Sequence, residues 1–137
     1  MIKFLFVLMF WAVPVKKEGH RLINIRVEGI KTLQGQLVVA LFNTPEDFLK
    51  KDFWSRTYPI AQTGEMNISI RDIPQGNYAI SLFQDKNKNG AIDTNFVGIP
   101  KEPFGFSNNP KIRFGPPTFE EAQFQHTDAE TNLIIRI

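Results

Sequence analysis

Asn77-Tyr78-Ala79-Ile80-Ser81-Leu82-Phe83-Gln84 runs without a break into Asp85-Lys86-Asn87-Lys88-Asn89-Gly90-Ala91-Ile92-Asp93. The first half is aromatic and aliphatic, entered from the turn signal Asp72-Ile73-Pro74-Gln75-Gly76, and reads as a strand. The second half alternates oxygen-bearing side chains with lysines, turns at a glycine and closes on a second aspartate. A strand that delivers the chain into an acidic loop fits an all-β fold.

Upstream the same period continues. Leu22, Ile23, Ile25 and Val27 are set against Asn24, Arg26 and Glu28, which predicts a half-buried strand ending at Gly29. Gln36-Leu37-Val38-Val39-Ala40-Leu41-Phe42 is nearly continuous in apolar residues, as a central strand covered on both faces requires. Thr44 and Pro45 then predict the cap and first residue of a short helical connection presenting Phe48, Leu49 and Phe53 to the core. Residues 58–63 predict a short strand, and Met66, Ile68 and Ile70 alternate with polar neighbours in another. Beyond Asp85 a long stretch holds no period, and residues 118–126 and 133–137 predict the last two strands. The expected fold is all-β: one antiparallel β-sandwich of about seven strands, prealbumin- or immunoglobulin-like, with a long ordered loop and a short helical connection.

With 137 residues, 42% of them hydrophobic and 22% charged, the chain has the length and composition of one globular domain. The net charge of +2 is slight, and lysines and arginines stand singly among acids. No basic stripe gives nucleic acid or an anionic membrane a footprint in the linear sequence. The absence of cysteine excludes disulfides, thiol catalysis and Cys-ligated zinc.

Lys3 precedes an unbroken apolar run over 4–13 that Pro14 ends, after which Lys16-Lys17-Glu18 returns to water. That run is too short to span a bilayer and matches the apolar region of a secretory signal. A signal peptide over 1–19, a β-sandwich domain over 20–137, periplasmic or secreted localisation and no membrane span after signal removal are therefore expected.

Calcium takes about six to eight oxygens, supplied by alternate loop residues around a glycine turn. Asp85, Asn87 and Asn89 hold the first, third and fifth places, Gly90 the sixth, the Ala91 carbonyl the seventh and Asp93 the ninth. Lys86 and Lys88 fall between ligands. Phe96 stands at the twelfth place, where a helical calcium hand carries its bidentate glutamate, so that motif is rejected. Two carboxylates predict weak binding, with Kd on the order of 10⁻⁴–10⁻³ M, useful outside the cytosol. Glu102 is a candidate remote third carboxylate. The competing reading is a metal-free turn in which Asn87 and Asn89 bond to their own backbone.

The loop continues into Val97-Gly98-Ile99-Pro100-Lys101-Glu102-Pro103-Phe104-Gly105-Phe106-Ser107-Asn108-Asn109, followed by Gly115-Pro116-Pro117-Thr118-Phe119-Glu120-Glu121-Ala122. Together with residues 35–48 these blocks resemble the bacterial exported family called domain of unknown function 2141, over residues 22–137. The resemblance implies a secreted or periplasmic sandwich of transthyretin-like or immunoglobulin-like kind, and carries over no catalytic residue. Pro103 departs from the glycine expected in that motif.

Phe96, Phe104, Phe106, Phe114, Phe119 and Phe124 crowd the long connection, and the expectation is that their rings pin it to the sandwich. The alternative is a carbohydrate- or peptide-binding surface of Trp54, Tyr58, Phe104 and Phe106. Catalysis has little local support. The histidines are His20 and His126, Ser107 lacks the glycine two residues after it that a nucleophile elbow needs, and Glu120-Glu121 on a strand would face opposite ways. The function expected is a noncatalytic exported module with a structural calcium loop and an envelope protein or glycan as partner, a hydrolase being a third reading.

Overall fold

The computed structural model describes residues 21–137, so the expected signal peptide lies outside the described residues. In chain order come β1 (Leu22–Ile30), β2 (Gln36–Phe42), β3 (Trp54–Pro59), β4 (Gly64–Arg71), β5 (Gly76–Asp85), β6 (Phe104–Phe106), α1 (Phe119–Ala122), β7 (Phe124–His126) and β8 (Glu130–Arg136). One sheet has the order β4-β1-β8, and the other runs β3-β2-β5-β6 with β7 pairing to β5. The two sheets pack as an all-β sandwich.

Strict alternation explains the packing between the sheets. Ile23, Ile25 and Val27 of β1 are buried, as are Leu37, Val39 and Leu41 of β2 and Ile80 and Leu82 of β5. These meet Ile68, Ile70 and Ile135 from β4 and β8 in one cluster. Each fully buried aliphatic side chain stabilises the fold by about 1.5–3 kcal/mol relative to exposure. The opposite face of the larger sheet has its own cover: Phe42, Phe48, Ala79, Phe106, Phe119 and Ala122 form a second cluster. Phe48 is its hub, edge-on to Phe42 at 5.3 Å, Phe119 at 5.9 Å and Phe106 at 6.4 Å. The two-sided apolar run of β2 is thus accounted for.

Several local expectations are corrected. The last strand lies parallel to β1, Ile25 opposite Leu133, so the smaller sheet is mixed. Residues 45–50 form successive turns instead of a helix. The Thr44 hydroxyl does accept from Asp47 N (3.2 Å), but Leu49 adopts φ +60°, which ends right-handed winding. The stretch 118–126 is not one strand: Thr118 and Glu121 close a capping box on the four-residue α1, and only Phe124–His126 is extended. The third strand begins at Trp54, earlier than the 58–63 window. Finally, Phe96 and Phe114 pin nothing and are fully exposed, whereas Phe106, Phe119 and Phe124 are buried and Phe104 half-buried.

Candidate functional site

Asp85 is the last residue of β5, paired to Gln36 of β2, and its side chain is fully buried. Its Oδ2 accepts from Gly90 N (2.8 Å) and Gln36 Nε2 (3.2 Å), and its Oδ1 accepts from Asn89 N (3.2 Å). A buried carboxylate needs such partners, and here the chain folds its own amides back over the charge. The turn requires left-handed backbone at Lys88 (φ +56°) and Gly90 (φ +80°).

The asparagines close the ring. Asn87 Oδ1 accepts from Asn89 N (3.3 Å) and Asn89 Oδ1 from Ala91 N (3.1 Å). Their amide nitrogens donate to Asp93, Asn87 to Oδ2 at 2.7 Å and Asn89 to Oδ1 at 2.9 Å. The sequence set Asp85, Asn87, Asn89, Ala91 and Asp93 is thus brought into one network, but by hydrogen bonds. Asp93 meets the nitrogens of both amides, not their oxygens. Among the described residues no three acidic or histidine side chains already converge as a metal cluster.

Glu102 completes the site from outside the loop. It is buried, its Oε2 accepts from Lys86 N (2.6 Å) and its Oε1 from Asp93 N (2.8 Å), so one carboxylate ties both ends of the turn. An open cleft of about 420 Å³ is lined by Lys86, Asn87, Asp93, Thr94, Lys101 and Glu102. Counting lone pairs tests the fit to a cation. Within the network, Asp85 Oδ1, Asn87 Oδ1, Asn89 Oδ1 and all four oxygens of Asp93 and Glu102 each accept one bond, which leaves one lone pair apiece. That donor set is hard and all oxygen, as calcium requires. Turning the Asp93 carboxylate and the two amides about their terminal torsions is the rearrangement a cation demands.

The Asn89 amide, above all, holds the Asp93 carboxyl below its ordinary 3.8, opposed by partial desolvation and reinforced by Asn87, Glu102 and Lys101. A depressed carboxyl stabilises the fold above its unfolded value, and that contribution fades as pH falls through the lower folded value. Acid titration of the unfolding midpoint should therefore show a limb below pH 3.8 that Asp93→Asn flattens. An identical acid limb in the variant would contradict the network.

The aromatic candidates are not brought together. Trp54 pairs with Leu41 and Tyr58 with Leu37, so both lie half-buried on the inter-sheet face. Phe104 and Phe106 pair with Phe83 and Ser81 on the opposite face, three strands away, inside the Phe48 cluster. Burial raises the Tyr58 phenol against the opposing pull of Arg56, whose guanidinium lies 5.6 Å from the ring centroid. No single groove unites the four.

The polar residues weighed for catalysis sit in structural bonds. Ser107 is buried, accepts from Ile80 N (2.9 Å) and donates to the Ala122 carbonyl. His126 is buried between Thr131 Oγ1 (2.6 Å) and the Ile73 carbonyl (3.2 Å). Glu121 caps Thr118 N on α1.

Residues 25–134 match the family described as "Uncharacterized protein conserved in bacteria (DUF2141)". The chain belongs to that family. The match runs from within β1 through most of β8 and so includes the whole Asp85 loop and Glu102. No curated protein and no solved structure matches the chain.

A further determinant of the loop was missed by sequence reading. Gln84 sits at an inward register position after Ile80 and Leu82, and its Nε2 donates to Thr32 O (3.0 Å) and Gln34 O (2.8 Å). A glutamine in phase with buried aliphatics was the available signal.

Proposed function

We propose that this DUF2141 member is a noncatalytic module of the bacterial envelope or exterior, in which the 85–93 loop, closed by Glu102, holds a calcium ion weakly. The observation that carries the reading is Glu102: buried, and placed across both ends of a loop that already holds two aspartates. Calcium would exchange the bonds between Asp93 and the two amides for ion coordination, locking the long connection that follows. Millimolar affinity suits a compartment outside the cytosol, as does the apolar run over 4–13. The surface that the ordered loop presents is then the one an envelope protein or glycan meets.

The test is thermal unfolding of the full chain in chelator and in millimolar calcium. At about 10 mM calcium, roughly ten- to a hundredfold over that Kd, binding to the folded state alone adds about 1.4–2.7 kcal/mol. Glu102→Gln and Asp93→Asn should each lose most of that increment, while Asp47→Asn, an acid outside the loop, should keep it. A wild-type midpoint that does not move between chelator and millimolar calcium removes the metal from this reading.

A further inference from the structure

Residues 93–101 form a closed hairpin beside the Asp85 loop. Thr94 pairs with Pro100, Lys101 N donates to Asp93 O (2.7 Å), Asn95 N to Ile99 O (2.8 Å) and Gly98 N to Asn95 O (3.0 Å). The Asn95 side-chain oxygen accepts from Val97 N and Ile99 N, both at 3.0 Å. The tip thus binds most of its main-chain donors internally, yet its side chains are apolar and in water: Phe96 is 100% exposed, Val97 61% and Ile99 59%. A turn built this way can leave water without stranding its N–H groups, which is the condition a lipid interface imposes. Contiguous exposed apolar side chains mark an interaction site.

Charge says what covers them. Lys86, Lys88 and Lys101 are exposed beside the hairpin, while Asp85 and Glu102 are buried under backbone amides, which leaves Asp93 as the one partly exposed acid of the network, offset by Lys101. Gln84 ties the 31–35 connection to the same end, which adds Lys31 and the 61%-exposed Leu33. Among the described residues none of these lysines forms an ion pair. Cations scattered through the sequence are gathered by topology around an apolar tip, the pattern that complements an anionic bilayer surface.

We propose that the 93–101 hairpin is a membrane-docking wedge that seats Phe96, Val97 and Ile99 at the acyl boundary of an anionic lipid surface, with the surrounding lysines on its headgroups. The docking does not depend on the calcium reading, and its test is run in chelator so that the two can fail separately.

The chain has no cysteine, so Val97→Cys places a single thiol on the tip for an environment-sensitive dye. Gln125→Cys, on β7 where it pairs with Asn77 at the far end of β5, is the reference. With the full chain and vesicles of phosphatidylglycerol and phosphatidylethanolamine, the dye at 97 should shift to the blue and be quenched by brominated acyl chains. The dye at 125 should do neither. Phe96→Ser with Ile99→Ser should abolish the signal. Lys86→Gln, Lys88→Gln and Lys101→Gln together should lower the partition coefficient by about a hundredfold. A dye at 97 that stays in water on anionic vesicles overturns the proposal, and so does an equal shift at both positions, which would place the insertion elsewhere in the chain.

Discussion

Gly35→Ala is expected to destabilise the fold by about 4 kcal/mol or more, the largest effect of any substitution considered. Gly35 has φ +75°, and a β-carbon there would lie 1.9 Å from the Asp85 carbonyl oxygen and 2.6 Å from the Lys86 α-carbon. Both obstacles are backbone, so no rotamer change relieves them. The glycine lets the 31–35 connection pass directly against the root of the acidic loop. Gly90→Ala is the matched control: it has a similar φ of +80°, but no atom lies within 4 Å of the added carbon. It should cost only the left-handed conformation, about 1–2 kcal/mol. Urea midpoints that fall equally for both variants would show that the close approach contributes nothing.

Asp85→Ala is expected to cost about 3–4 kcal/mol, with a fall in Tm on the order of 10 °C. The change strips the acceptor from Asn89 N, Gly90 N and Gln36 Nε2 at once, at a position with no exposure. Asp85→Asn keeps one acceptor oxygen but sets an amide against a donor, and should cost about half as much. Hydrogen exchange at Asn89 and Gly90 should accelerate in both. A urea midpoint for Asp85→Ala close to that of the wild type would mean the carboxylate is not what holds the turn. Because this loss appears with or without a cation, Asp85 is a poor probe of calcium. Glu102 and Asp93 serve that purpose better.

The strands that alternate were legible in the sequence, because period two reports which face is buried. β1, β2, β4 and β5 fall close to their expected places for that reason. β6 was not legible: Phe-Gly-Phe has no period of its own and is extended only because β5 offers it a partner. α1 was mistaken for strand although Thr118-Phe119-Glu120-Glu121 spells a capping box, a signal outweighed by the surrounding aromatic residues. The acidic loop could be placed, but not the way it is satisfied. Spacing gives the same odd positions to coordinating oxygens and to Asx turns, and the further bonds to the loop come from Glu102 and Gln36, distant in sequence. The placement of the aromatic set was not legible for a related reason. Which face Trp54 and Phe104 occupy depends on registers with β2 and β5 that no local pattern encodes.

The parallel pairing of β8 with β1 has a kinetic corollary. The backbone pairing on that flank of Ile23, Ile25 and Val27 is made by β8, more than a hundred residues downstream. A nascent chain cannot finish its smaller sheet until residues 130–136 have been synthesised, and joining segments so far apart is slow. Late closure leaves that edge of β1 without a partner strand through most of the chain's synthesis.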